Sequence, residues 1–216
     1  MPTRTATHRA AARCGWPARA GNVIGGGDWA RDRIVVDCIT RWSRGQPVEI
    51  RSPRATRPWQ HVLEPLSGYL ALGAALQADD SLHGESFNFG PNAEQNRNVL
   101  DLLNDLARRW RWPAGVSPYT LTADLPFNES SLLKLNCDKA QARLSWTATL
   151  QYDECVALVG DWYRHFYQEG QGSPCHALHA RTLVDIETFE ARARSRQLRW
   201  AGSTAAAGPA ALRQAA

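Results

Sequence analysis

Apolar positions recur at helical spacing in several stretches of the chain, and each predicts a helix. Ile34, Val35, Cys38, Ile39 and Trp42 fall on one side of the first, which Gly45 stops. Residues 63–77 form a second, with Leu66, Leu70, Ala74 and Leu76 on one side and Asp79, Asp80 and Gly84 after it. Val99, Leu102, Leu103, Leu106 and Trp110 mark a third, and Pro113 lies past its end. Residues 138–144 read as a short helix. Val156, Leu158, Val159, Trp162, Tyr163 and Phe166 line a long one, and 183–193 an amphipathic one. Short extended pieces lie between them, at 19–24, 47–50, 59–62, 87–90, 116–121 and 132–135. Short, separated strands among helices predict a mixed α/β layout with no clear sheet of its own.

The stretch Gly25-Gly26-Gly27-Asp28-Trp29-Ala30 fits the dinucleotide-loop pattern G-x-G-x-x-[GA]. A strand precedes it, a helix and a strand follow, and Glu49 lies about 20 residues on, where a ribose ligand is expected. The physics weighs against it. A buried parallel strand entering such a loop reads as a continuous apolar run. Here the run contains Arg19, Gly21 and Asn22. The dinucleotide loop is therefore the minority expectation.

Composition narrows the class. The 216 residues hold one large or two small domains, and 44% apolar residues exclude wholesale disorder. No run of 18 apolar residues occurs, so no transmembrane helix is expected. The Arg- and Ala-rich start lacks the apolar centre of a secretory signal. The net charge of +4 is spread along the chain, which argues against nucleic acid as a partner. Cys14, Cys38, Cys137, Cys155 and Cys175 are odd in number, with no C-x-x-C spacing. That fits a reducing compartment, and a cytoplasmic location is expected. Cys175, His176 and His179 cluster loosely and read as a polar loop, so no metal is expected.

Three strings carry a family resemblance: ARAGNVIGGGDW at 18–29, RPWQHVLEPLSGYL at 57–70 and FNFGP at 87–91. LLKLNCDKAQARLSW at 132–146 and DWYRHFY at 161–167 agree with them. The chain resembles the extended short-chain dehydrogenase/reductase superfamily and, within it, the CDP-glucose 4,6-dehydratases. The resemblance covers residues 18–168 and the helix near 182–192. It implies an α/β fold that is the C-terminal part of the family's: the end of the Rossmann sheet plus the smaller mixed α/β substrate domain. Residues 1–17 would then be an atypical N-terminus. Residues 18–170 would be the end of the Rossmann region with the sugar-nucleotide-binding domain, 171–200 a C-terminal helical segment and 201–216 a disordered tail. It also moves the glycine run away from the cofactor, to a turn beside the sugar nucleotide.

In that family NAD takes hydride from C4 of the sugar while a tyrosinate removes the hydroxyl proton. Water then leaves across C5 and C6, and hydride returns at C6. A lysine four residues beyond the tyrosine lowers its pKa for the task. Here Tyr69, Tyr119, Tyr152, Tyr163 and Tyr167 are followed four positions on by Gly73, Ala123, Val156, Tyr167 and Gln171. No catalytic or cofactor-binding residue is therefore expected, and NAD is expected in the intact family but not on this chain. The chain reads as a C-terminal fragment, an inactive sugar-nucleotide-binding portion. Two other readings stand beside it: an interaction module active only with a separate N-terminal half, and another NAD-dependent nucleotide-sugar epimerase or dehydratase. A homo-oligomer is possible. By resemblance the intact enzyme would serve surface-polysaccharide synthesis.

The resemblance implies substrate-binding roles for five residues. Asn22 matches the family asparagine at the diphosphate, and reads equally as a turn cap. Arg57 matches a phosphate-binding arginine, held semi-rigidly before Pro58-Trp59. Arg33 falls where the family has a basic residue near the nucleotide, or faces water on a first helical turn. Arg51 falls at a nucleotide-contacting strand end. Asn88, between Phe87 and Phe89, reaches the nucleotide or satisfies buried backbone. His61 reads as packed and structural, and Glu64 as a helix-start carboxylate.

Overall fold

The computed structural model describes residues 17–92, 94–122, 134–169 and 175–202. The N-terminus to residue 16, the tail from residue 203, residues 132 and 133, and the side chains of Cys175 and His176 lie outside that description.

One extended segment opens the fold. It forms β1 (Ala18–Ala20) and β2 (Asn22–Ile24), broken only at Gly21. β1 pairs in parallel with β6 (Phe87–Phe89), and β2 in parallel with β5 (Trp59–His61). The Gly21 amide donates to the Phe89 carbonyl at 3.2 Å and the Asn22 amide to the Pro58 carbonyl at 3.1 Å. Successive amides of an extended chain point to opposite edges, so the two partner strands flank the segment on opposite sides. Gly21 is needed at the crossing, since a Cβ there would stand 2.8 Å from the Pro58 oxygen.

Helix α1 (Ile34–Trp42) buries Val35, Val36, Cys38, Ile39 and Trp42, the side its spacing predicts. Gly45, at φ +68°, turns the chain into β3 (Val48–Ile50), which pairs in parallel with β8 (Tyr119–Leu121). The strand expected at 116–121 is thus confined to its second half. A two-residue antiparallel ladder of β4 (Thr56–Arg57) with β7 (Arg97–Asn98) has no counterpart in the sequence reading.

Helix α2 (Leu63–Ala78) differs from expectation in which side it buries. Glu64, Pro65, Gly68 and Leu72 face inward, while Leu66 and Leu70 are exposed. Gly68 decides this, because its missing Cβ lets the Phe89 ring come to where that atom would stand, 2.2 Å away. Glu64 does not serve the start of its own helix. It is 2% exposed and accepts hydrogen bonds from the Thr149 and Leu150 amides at 2.6–3.0 Å.

Helix α3 (Val99–Trp110) starts with a reciprocal cap between Asn98 and Asp101, and Arg111 ends it in a left-handed conformation. The short helix α4 (Asp138–Leu144) packs near β6 and α2. Helix α5 (Tyr152–Arg164) is capped by Gln151 and Glu154. α3 and α5 form the centre of the main core, through Leu102, Leu103 and Leu106 with Val156, Val159 and Tyr163. A second cluster gathers Leu72, Leu82, Phe87, Phe89, Ala140 and Trp146. The final helix α6 (Cys175–Ser195) is longer than the 183–193 that its pattern predicts. Arg196, just beyond it, pairs with Glu154 and donates to the Thr149 carbonyl, tying the end of the chain to the start of α5.

Candidate functional site

A cleft of about 570 Å³ opens between β2, the start of α1, the end of β3 and the β4–β5 segment. Asn22, Arg33, Arg51 and Arg57 all line it. Asn22 stands at the start of β2, where pairing with β5 fixes its backbone. Arg57 ends β4 and donates to the Thr56 carbonyl at 2.9 Å. Arg51 follows β3 directly, exposed, and its side chain makes no hydrogen bond or ion pair with any described residue. Arg33 caps α1 without a side-chain bond to it, and its guanidinium meets the Asp28 carboxylate at 2.9 Å. The fifth expected residue is elsewhere. Asn88 is not among the cleft residues, and its amide donates to the Asn136 carbonyl at 3.0 Å.

The cleft also holds acids that the sequence reading did not mark, Asp28, Asp32 and Asp37, together with Glu49. Asp28 is spent locally on the Ala30 amide and on Arg33. Glu49 lies 3.9 Å from Arg41. The Asp37 carboxyl is pushed up by loss of water and by Asp32, against Arg41. Arg51 and Arg57 bring two further guanidinium forks to the cleft, of the planar kind that suits a phosphate or carboxylate. The run Gly27-Asp28-Trp29 was the signal for Asp28, since it places a carboxylate in the turn that borders the cleft.

Tyr163 alone of the described tyrosines lines the cleft. Its hydroxyl donates to the Asp28 carbonyl at 2.7 Å, and burial pushes its pKa upward. A general base needs the opposite shift. Tyr163 therefore holds the turn, and Trp29 closes over it edge-on at 5.5 Å, beside Phe166 at 4.9 Å. Burial also pushes the Cys38 and Cys155 thiols up, so neither is a ready thiolate. Buried His61 accepts from the Leu63 amide at 3.3 Å, and burial lowers it to about 4. Among the described residues no group of three or more His, Cys, Asp or Glu is placed to hold a metal ion.

The glycine run does not fit a dinucleotide. A Cβ on Gly26 would stand 2.2 Å from the Trp162 indole and one on Gly25 2.9 Å from Val62, so these glycines serve internal packing. The helix after them starts only at Ile34, and β2 and β3 do not pair. Glu49, on β3, is exposed and lies 3.9 Å from Arg41.

No family model matches the chain. The chain is 38% identical over 146 residues to CDP-glucose 4,6-dehydratase of Salmonella typhimurium, which covers 68% of the chain and 40% of that protein. Among solved structures it resembles UDP-glucuronic acid 4-epimerase of Bacillus cereus in complex with UDP-glucuronic acid and NAD. That match has a TM-score of 0.58 at 18% identity, over 69% of this chain and 45% of the other. It also resembles dTDP-glucose 4,6-dehydratase of Bacillus anthracis in complex with NAD, with a TM-score of 0.55 at 15% identity, over 68% and 44%. The chain thus spans less than half the length of the proteins it matches. It carries part of the fold of the extended short-chain dehydrogenase/reductase superfamily, and over the matched stretch it is a sequence relative of the CDP-glucose 4,6-dehydratases.

Proposed function

We propose that the cleft binds the diphosphate of a nucleotide sugar, CDP-glucose, and that the chain is the sugar-nucleotide-binding part of a 4,6-dehydratase-like enzyme. One observation carries this: Asn22, Arg33, Arg51 and Arg57, far apart in sequence, converge on one cleft. Arg51 and Arg57 take the phosphates, and Arg33, already paired with Asp28, orders the rim. The chain alone performs no hydride transfer, since no tyrosine has a lysine four residues on. The one tyrosine lining the cleft has its hydroxyl committed to Asp28. NAD belongs to the portion that relatives carry outside the matched stretch.

Calorimetric titration of the purified chain tests this. CDP-glucose binds, CDP competes with it, and NAD gives no signal. Arg57→Ala weakens CDP-glucose binding by tenfold or more, as loss of a charged hydrogen bond of about 1.5–3 kcal/mol requires. Absence of CDP-glucose binding up to millimolar concentration, or a 4-keto-6-deoxy product formed by the chain alone, overturns it.

A further inference from the structure

A second cavity, of about 310 Å³, lies between β7, α3 and the first turn of α5, and it shares no residue with the cleft. Three arginines reach it: Arg97 from β7, and Arg108 and Arg109 from the last turn of α3. Arg108 is held by Asp105, one turn back. Arg97 and Arg109 make no ion pair with any described residue, so two guanidinium charges stand open at one cavity. Packing places both of them. The Arg97 guanidinium lies 5.2 Å from the centre of the Tyr152 ring. The stem of Arg109 rests on Gly160 of α5, where an added Cβ would stand 2.7 Å from the Arg109 Cβ. Stems already held lose less freedom when they grip a ligand.

Tyr152 supplies the observation that points to a ligand. It lines the cavity and is only 7% exposed. Its hydroxyl is shut off from water and makes no hydrogen bond of good geometry. Burial, and after it the neighbouring Asp105 carboxylate, push its pKa upward, so it keeps its proton and stands as a donor. Asp105 itself is engaged by Arg108. A buried donor without a partner costs about 1–3 kcal/mol, which an acceptor in the cavity offsets. The first turn of α5 adds the positive end of a 13-residue helix. Asp153, exposed at the same turn, is a single open carboxylate against two open guanidinium groups, so positive charge prevails.

We propose that this cavity is a second anion site, which takes a phosphate monoester of about the size of a hexose phosphate. Its volume admits a sugar ring together with the phosphate. Arg97 and Arg109 supply planar forks to the phosphate oxygens, and the Tyr152 hydroxyl donates a further hydrogen bond. Asp153 accepts from a hydroxyl of the sugar. The inference does not rest on the reading of the cleft.

The test titrates the full chain with glucose 6-phosphate in a calorimeter, and with inorganic phosphate as the minimal probe. Both bind, the ester more tightly. Arg109→Gln keeps the stem against Gly160 and removes the charge, and it weakens both at least tenfold, as loss of a charged hydrogen bond requires. Arg97→Gln does the same from β7, and decides the matter should the Arg109→Gln chain not fold. Arg44→Gln, at an exposed arginine that lines neither cavity, leaves binding unchanged. Saturating CDP-glucose does not displace the ester, which separates this site from the cleft. The inference is overturned by absence of binding up to millimolar concentration, or by an ester that binds no tighter than inorganic phosphate. Binding that survives either change at Arg97 or Arg109, an equal loss in Arg44→Gln, or displacement by CDP-glucose overturns it as well.

Discussion

Helices α3 and α2 have similar lengths and opposite characters. α3 is amphipathic, with Leu102, Leu103 and Leu106 wholly buried against α5 and with Asp105 and Arg108 outward. Its first turn is capped by side chains and its end closed by a left-handed residue. α2 has no side-chain cap at its start, and its outer surface is as apolar as its inner one. Where a chain assigns a polar side to a helix, water is the intended neighbour. The sequence of α2 assigns none, so the α3–α5 region is closed among the described residues while α2 leaves Leu66, Tyr69 and Leu70 exposed.

Three measurements break or sharpen that contrast. The largest effect belongs to the finished region. Leu106→Ala should cost about 2–5 kcal/mol in urea unfolding, as for a wholly buried leucine. Leu70→Ala should change stability by less than about 0.5 kcal/mol. Equal losses would erase the difference between the helices.

The second measurement is a pH profile of stability at the junction where α2 begins. Burial raises Glu64 from its ordinary 4.5 to about 7, partly offset by the Thr149 and Leu150 amides. Burial lowers His61 from its ordinary 6.5 to about 4. Between pH 4.5 and 7 the native state holds the Glu64 proton longer than the unfolded chain, so this group removes stability as pH rises. Between pH 4 and 6.5 the unfolded chain holds the His61 proton longer, so that group adds stability as pH rises. Each is worth on the order of 3 kcal/mol, with opposite sign over the shared window. The contributions of these two groups should therefore largely cancel there. Relative to the unaltered chain, Glu64→Gln should gain stability as pH rises from 4.5 to 7, and His61→Asn should lose it as pH rises from 4 to 6.5. A flat difference from the unaltered chain in either variant counts against the assignment.

The smallest effect compares two glycines of α2 itself. A Cβ on Gly68 meets the Phe89 ring at 2.2 Å, while one on Gly73 meets nothing within 4 Å. Gly68→Ala should destabilise by about 1–3 kcal/mol through overpacking. Gly73→Ala should stabilise by about 0.5–1 kcal/mol through helix propensity. Thermal melts that move in the same direction would mean that α2 does not sit on β6 as described.

Much of this was legible in the chain. The buried sides of α1 and α3 follow from periodicity, because leucine, isoleucine and tryptophan mark a packed side by their own area. α2 misled for the converse reason: Leu66 and Leu70 mark a side by area, but glycine, which marks close approach, carries no apolar weight. Four of the five expected site residues share the cleft, since Arg51 and Arg57 sit at strand ends, where side chains leave the sheet together. Asn88 went elsewhere because its partner, the Asn136 carbonyl, lies 48 positions away, and Glu64 misled in the same manner, with its partner amides 85 and 86 positions on. Contacts of that separation are set by the assembled core and leave no local pattern.

The strand segment 18–24 is shared between two ladders, and Gly21 is the single peptide at which it changes hands. No loop intervenes to absorb motion between Ala20 and Asn22. The position of Asn22 at the rim of the cleft is therefore set by both ladders at once, with one glycine between them.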